Sequence, residues 1–318
     1  MSRNDFDADT IKRINEIYHD IESDTYMERH PEIYSQEDFA WELLGKKYFK
    51  TDKPLTVIDV GTGVGFVPFV IGKYLKAGDK LICTDISEAM LRQAEKQLVV
   101  YKHINKQFIK ADVMETARTI GQANIITMNS VLHHLPNYEE DLRQLEKLVK
   151  DDGLFIIMHE CSSRFFKYMP IPMRLYLAGQ RSYRWLRQQV KRLLISLKLY
   201  RTVVFKKDKI TADMEIMYAK IQKAIRVEGL ADRDLSLNEI NAIIDFHATD
   251  EEGEGFDPFV IHKKFFADYE IAELFMTKHL GPWIDEERGI FNRLLNGYLK
   301  RFHPNEGAIF GLVMRKKR

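Results

Sequence analysis

Cysteine is the first thing this chain has little of. There are two, Cys83 and Cys161, in 318 residues. They form no C-x-x-C pair and no zinc-ligand spacing, which excludes a disulfide framework and a structural zinc site as organising devices. Read as reduced thiols, they point to a cytoplasmic protein. Long apolar runs are missing too, since none approaches the ~18 residues of a membrane-spanning helix. The opening segment, MSRNDFDADT, is polar and acidic and is not expected to be a secretory signal. Charge of one sign is not in excess: the net is +1, and nothing global points to nucleic acid. No internal repeat or low-complexity tract is found. A hydrophobic content of 45% and a charged content of 30% leave an ordinary globular chain, long enough for one large domain or two modest ones.

What is present is alternation. Residues 1–50 read as a polar, mostly helical stretch with 12 Asp/Glu against 7 Lys/Arg. Asp52-Lys53-Pro54 breaks that pattern. LTVIDV (55–60) is a continuous apolar run, as expected of a strand covered on both faces. FVPFVIGKYLKA (66–77) predicts a helix closed by Gly78, with Pro68 tolerated in its first turn. KLICTDI (80–86) is a second strand. Ser87 is a good N-cap, and Glu88 suits the positive end of the helix dipole. Leu91, Ala94, Leu98 and Tyr101 follow at helical spacing. QFIKADV (107–113), NIITMNSV (124–131) and LFIIMHE (154–160) predict the third, fourth and fifth strands. Leu142, Leu145, Leu148 and Val149 form one face of the helix before the fifth. Such alternation with short connections means right-handed crossovers and a parallel sheet. Open parallel sheets bind ligands outside the carboxyl ends of their strands. After residue 161 the pattern stops, and 162–264 read as an inserted helical lid. DYEIAELF (268–275) predicts a helix, MTKHLGPW (276–283) the sixth strand, 284–302 another helix and AIFGLVMRK (308–316) the final strand.

VIDVGTGVGFVP (57–68) places Gly61, Gly63 and Gly65 directly behind the first strand. Glycine there lets the backbone approach a ligand closely. A dinucleotide fingerprint needs its third small residue where this chain has Phe66, which disfavours a nicotinamide-dependent oxidoreductase. The phosphate loop G-x-x-x-x-G-K-[ST] is absent as well. The G-x-G-x-G form preceded by Asp59 resembles the first motif of class I S-adenosylmethionine (SAM) methyltransferases. Asp85 ends the second strand, Asp112 lies in KADV at the third, and NSVLHHLPN (129–137) follows the fourth. The last of these looks like the family's fourth motif in its quinone- and small-molecule-methylating branches. The final strand resembles the family's last, reversed strand.

The resemblance implies an α/β fold: a Rossmann-like, mostly parallel seven-stranded sheet flanked by helices. Residues 1–50 would then be an N-terminal helical cap, 51–161 and 265–318 the SAM-binding domain, and 162–264 a helical insertion after the fifth strand. It implies SAM as cofactor, with Asp85 on the ribose hydroxyls, Asp112 on the adenine amino group, and Asn129 and Ser130 at the amino-acid end. Thr62, Ile86, Met90 and Val113 adjoin these positions and complete the implied cofactor set with Gly61, Gly63 and Gly65. Asp59 is expected to order the glycine loop by accepting backbone N–H bonds.

Methyl transfer from a sulfonium is an in-line displacement helped mainly by alignment. An oxygen or nitrogen acceptor also calls for a general base. His133, His134, His159 and Glu160 stand at strand ends as candidates, and histidine titrates near working pH. Strand alternation aims His159 and Glu160 at opposite faces, so only one is expected to line the site. The histidine pair fits equally well a role in shaping its loop. Tyr18, Tyr26, Tyr34 and Trp41 lie in the leading helices, which often close over the cofactor in this family. No metal site is expected: His247, Asp250, Glu251, Glu252 and Glu254 read as a solvated acidic loop without calcium-loop spacing.

Charge is polarised locally. Residues 164–209 hold 13 Lys/Arg and one acid, Asp208, whereas 210–290 hold 18 acids against 8 bases. Within the basic part, 183–200 has helical period. Leu186, Val190, Leu193, Leu194 and Leu197 share one face, with Arg184, Arg187, Lys191 and Lys198 opposite. That pattern suits peripheral contact with an anionic membrane, RNA phosphates, or a lid helix packed on the protein itself. The reading that results is a SAM-dependent methyltransferase acting at O, N or C of a small-molecule or lipid- or glycan-linked acceptor. An RNA-modifying methyltransferase and a non-catalytic SAM-binding subunit are the alternatives. With no separate RNA-binding module, nucleic acid is not an expected partner. The oligomeric state is not legible.

Overall fold

The computed structural model describes residues 6–30, 38–179, 182, 209–247, 255–281, 284 and 286–318. The amphipathic stretch 183–200, Tyr34 and the acidic residues Asp250, Glu251, Glu252 and Glu254 lie outside these. Seven strands form one sheet: β1 Thr56–Val60, β2 Lys80–Asp85, β3 Asn105–Lys110, β4 Ala123–Asn129, β5 Val149–Cys161, β6 Tyr269–Thr277 and β7 Ile309–Lys316. Their order is β3-β2-β1-β4-β5-β7-β6. β1 to β5 are parallel. β7 runs antiparallel to β5, and β6 antiparallel to β7. Helices α1 Ala8–Glu22, α2 Tyr26–Arg29 and α3 Asp38–Leu44 lead the chain. Four helices connect the parallel strands: α4 Phe66–Gly72, α5 Glu88–Leu98, α6 Val113–Thr119 and α7 Tyr138–Glu146. After β5 come α8 Ser163–Lys167, α9 at residues 171–179, α10 Lys209–Val227, α11 Leu237–Ile244 and α12 Pro258–Phe265, and α13 Gly289–Phe302 joins β6 to β7.

The sheet buries both faces, which is why its strands read as unbroken apolar runs. Ile58, Ile126, Met128, Phe155 and Ile157 pack on one side with Leu142 and Leu145 of α7. Val57, Leu81, Ile125 and Ile156 pack on the other with Trp41 of α3, Val70 of α4 and Leu91 of α5. Capping follows the local sequence. Ser87 accepts from Met90 N at 3.0 Å at the start of α5. Asp112 forms a capping box with Glu115 at the start of α6.

Four elements differ from the sequence reading. Residues 268–275 are not a helix but hold most of β6, so the sixth strand starts at Tyr269 and only Met276 and Thr277 of it fall within 276–283. The cause is a register shift between Ile271 and Glu273. The extra residue puts Ile271 and Leu274 on the same face, a spacing that imitates a helix. Val149 opens β5 opposite Ala123 instead of closing α7. The third strand stops at Lys110, leaving Asp112 as a helix cap. α12, counted from sequence in the insertion, packs through Ile261 into the sheet's own core beside Phe256 and Phe266.

The cap and the insertion share a hydrophobic core of their own. Ile11, Ile14 and Tyr18 of α1 meet Met217, Ile221 and Ile225 of α10 and Ile240, Ile243 and Ile244 of α11. Arg13 adds a two-pronged contact to Glu228, with both N···O distances 2.6 Å. Segments about 200 residues apart therefore form one helical body over the carboxyl edge of the sheet. Truncating Ile14, which is fully buried there, is expected to cost about 2–5 kcal/mol. Chemical denaturation of Ile14→Ala measures it.

Candidate functional site

A cavity opens at the carboxyl ends of β1, β2 and β4, where the strand order reverses direction. The glycine loop forms its floor. Thr62 N donates to Thr84 O at 3.0 Å, and Gly63 N donates to Asp85 Oδ2 at 2.7 Å. Gly65 has φ +93°, and a Cβ there would lie 2.9 Å from Ala94 Cα. The third glycine therefore seats the loop on α5 and is not part of the cavity lining. Gly61 is equally confined: an added Cβ would approach Val131 Cγ2 to 2.4 Å.

Asp85 organises the centre. Its Oδ1 accepts from Ser87 N at 2.8 Å while Oδ2 holds Gly63 N, so one carboxylate ties the glycine loop to the entry of α5. Burial raises its pKa, and the two N–H bonds oppose that rise. Each oxygen keeps a lone pair for a further donor. Asp59 does not order the loop through backbone N–H groups, as its position suggested. Its Oδ1 accepts from Thr127 Oγ1 at 2.5 Å, and its backbone oxygen accepts from Thr62 Oγ1 of the loop at 3.0 Å. Burial pushes its carboxyl up to about 7.

Asp112 caps α6 and binds Lys12 Nζ at 2.9 Å. Burial would raise its pKa, but the Glu115 N–H and Lys12 hold it below the ordinary value. Asn129 Oδ1 accepts from Trp41 Nε1 at 2.9 Å, which fixes the amide. Ile86, Met90, Val113, Ser130 and Tyr26 also line the cavity. Tyr18 instead packs in the cap core.

Of the four acid–base candidates, only His134 lines the cavity. Its Nδ1 lies 2.8 Å from Ile244 O and so must donate. Burial, then the neighbouring His133 and His19, push its pKa well below the usual histidine value. The ring is therefore neutral with its lone pair on Nε2. His133 faces Glu160, Nδ1 to Oε2 at 2.8 Å. Glu160 is 0% exposed, and its Oε1 accepts from Val131 N and Leu132 N, both at 2.8 Å. Strand alternation fails here: the β5–β7 register shifts between Ile157 and Glu160, and His159 has φ +58°. His159 Nδ1 meets Ser130 Oγ at 2.7 Å. Neither His159 nor Glu160 lines the cavity. His133, His134 and Asp245 bring ligand-capable atoms within 4.8 Å of one another, the one such group among the described residues.

Sequence reasoning missed Lys12, Asn15 and His19 of α1 and Asp141 of α7, all of which line the cavity. The first three sit on a helix that ends at Glu22, far ahead of the first motif at Val57, and nothing local marks them. Asp141 did carry a signal, since it shares a helical face with Leu145 and Leu148. It is buried, its Oδ2 has no hydrogen-bond partner, and burial pushes its carboxyl up to about 6. Buried acceptors held open around a glycine loop suit a ligand rich in hydroxyl and amino donors.

Residues 58–155 match the family model of a methyltransferase domain. A demethylmenaquinone methyltransferase of Lactococcus lactis subsp. lactis (strain IL1403) is 22% identical over 191 residues, 57% of this chain and 75% of that protein. One from Lysinibacillus sphaericus (strain C3-41) is 22% identical over 188 residues, covering 56% and 79%. Among solved structures, plantazolicin methyltransferase BpumL with S-adenosylhomocysteine (SAH) aligns over 97% of this chain and 96% of its own, at 14% identity and a TM-score of 0.44. The matched domain, the sheet topology and the strand-end acids are together those of a SAM-dependent methyltransferase. It is an enzyme whose cofactor is SAM. An RNA-modifying activity and a non-catalytic role are not favoured by these relatives.

Two outcomes follow. Asp85→Ala loses the acceptor and frees Gly63 N, and is expected to weaken SAH binding by about tenfold or more, measured by calorimetry. Asp59 gives a pH signature. Folded, it keeps its proton to about pH 7; unfolded, it loses it near ~3.9. Between those values the unfolded state binds fewer protons, so wild-type stability falls as pH rises through that window. Asp59→Asn should remove that part of the decline in denaturation midpoints across the same range.

Proposed function

We propose that the enzyme methylates a small-molecule acceptor held between the carboxyl edge of the sheet and the helical body above it, with His133 as general base. The observation that carries the assignment is the buried bond between His133 and Glu160. A carboxylate accepting three donors fixes the Nδ1–H tautomer and leaves the Nε2 lone pair available. Burial alone would depress the His133 pKa, but the charge and hydrogen bond of Glu160, with Asp245, more than offset it and raise it. A base of raised pKa suits an acidic O–H, N–H or C–H of an acceptor. The demethylmenaquinone relatives support a small, ring-bearing acceptor.

SAM supplies a methyl group on a positively charged sulfur. The residues of this chain do the rest. Asp85, Asn129 and the glycine loop position the donor; Ile86, Met90 and Val113 cover it with apolar surface. Lys12 and Asp112 close the rim from α1. His134, neutral and lining the cavity, orients the reacting end. His133 Nε2, on the ring that packs behind the cavity-lining His134 with centroids 4.1 Å apart, would take the acceptor's proton as the acceptor bonds to the methyl carbon and that carbon leaves sulfur. Glu160 holds the imidazolium that results.

Deprotonated His133 is the working form, so kcat is expected to rise with pH along a limb above the ordinary ~6.5 of histidine. Glu160→Gln removes the charge that raises that pKa. The limb should move to lower pH and kcat fall about 100-fold, with SAH affinity little changed. A pH profile of kcat in both proteins tests the assignment, and an unmoved limb would remove it.

A further inference from the structure

The carboxyl edge of the sheet carries a second feature, away from the cofactor cavity. β5 ends at Cys161 opposite Ile309, and β6 ends at Thr277 opposite the same residue. α8 and α13 therefore leave the sheet on the edge that holds the cavity. They pack with α9 into a small separate core of Phe165, Met173, Leu280, Leu299 and Ala308. Tyr176 stacks on Phe291 with ring centroids 5.8 Å apart and donates to Asn292 Oδ1 at 2.9 Å, which locks α9 against α13.

The outer surface of this platform is apolar. Ile290, Phe291, Leu294, Tyr298 and Phe302 of α13 and Ile171 and Leu175 of α9 are between 43% and 72% exposed. On α13 they occupy one third of the helix circumference, opposite the buried Asn296 and Leu299. Isolated exposed leucines need no explanation, but a continuous stripe across two helices does. Its charge is one-sided. α8, α9 and α13 contain no Asp or Glu, and Lys167, Arg174, Arg293, Lys300 and Arg301 are all exposed on them. Arg301 lies within the stripe, beside Phe302. The chain then continues from α9 into a strongly basic stretch, with ten Lys/Arg and one acid over 180–209.

We propose that the α8–α9–α13 platform is a docking face for an anionic lipid bilayer. Aromatic and aliphatic side chains ringed by cations, one of which, Lys300, is held by Glu286 at 3.5 Å, match an interface of acyl chains and anionic headgroups. A second copy of the same cationic face would be repelled, and so would the basic segment that follows α9. Docking this way turns the carboxyl edge, and the cavity on it, toward the membrane. An acceptor dissolved in lipid would then reach the site without crossing water.

The test is flotation of the full-length protein with vesicles of phosphatidylcholine alone or mixed with phosphatidylglycerol. Wild type should float with the anionic vesicles and not with the neutral ones, less so at high salt. Ile290→Glu/Leu294→Glu, both at exposed positions, should reduce flotation by about tenfold or more, with SAH binding and melting temperature unchanged. Arg293→Glu/Arg301→Glu should remove the preference for anionic lipid. Failure of the wild type to float, or equal flotation of the Glu variants, would overturn the proposal. So would a dimer in sedimentation that the Glu variants dissolve. Retained SAH binding keeps any of these outcomes separate from the methyltransferase assignment.

Discussion

Everything at this site depends on the point where β1 and β4 lie side by side and their loops part in opposite directions. Parallel strands hydrogen-bonded through Val57–Val60 and Ile125–Met128 cannot close the gap above their carboxyl ends. The gap has to be filled by a ligand and by groups that tolerate one. The glycine loop fills it from below. Asp85 anchors that loop to the neighbouring helix, and α1 closes it from above. Remove the reversal of strand order and none of these residues has a common target.

Four of the carboxyl groups in the region show how a buried acid is accommodated. Asp85 is held by backbone N–H donors, which suit the charged form. Glu160 is fully buried yet meets two N–H groups and an imidazole, so its charge is compensated in place. Asp59 has a threonine hydroxyl for its carboxyl partner and drifts toward the neutral form. Asp141 has no hydrogen-bond partner on its buried oxygen and drifts the same way. The low dielectric that raises the pKa values of Asp59, Asp85 and Asp141 also strengthens the bond that orients His133. The two adjacent histidines divide accordingly: His133 beside a carboxylate gains proton affinity, and His134, buried and next to His133 and His19, loses it although its carbonyl partner opposes the loss.

The roof is built from distant parts of the chain. α1 contributes Lys12, Asn15 and His19 to the cavity while its opposite face packs on α10 and α11. The cavity lining and the helices after β5 are thus joined through one helix. Placement of α1 over the cavity and of α11 beside the histidines belongs to one packed body, since His134 Nδ1 donates to Ile244 O of α11.

The strand–helix alternation, the glycine loop and the acids at strand ends were all legible in the sequence. The reason is physical: a parallel sheet confines ligand chemistry to its carboxyl ends, and each end leaves a short local code in glycines, acids and caps. Element boundaries followed where caps are local, as at Ser87. β6 was not legible, because a one-residue bulge at its centre turns a period of two into a pattern resembling a helix. Asp59 was legible as a site residue but not in its role, since its partner Thr127 is 68 residues away. Of His133, His134, His159 and Glu160, the sequence by itself determined only that they sit at strand ends. Which ring keeps a proton, and on which nitrogen, was decided by tertiary structure, because a buried imidazole takes its tautomer and its charge from whichever acceptor the fold brings to Nδ1.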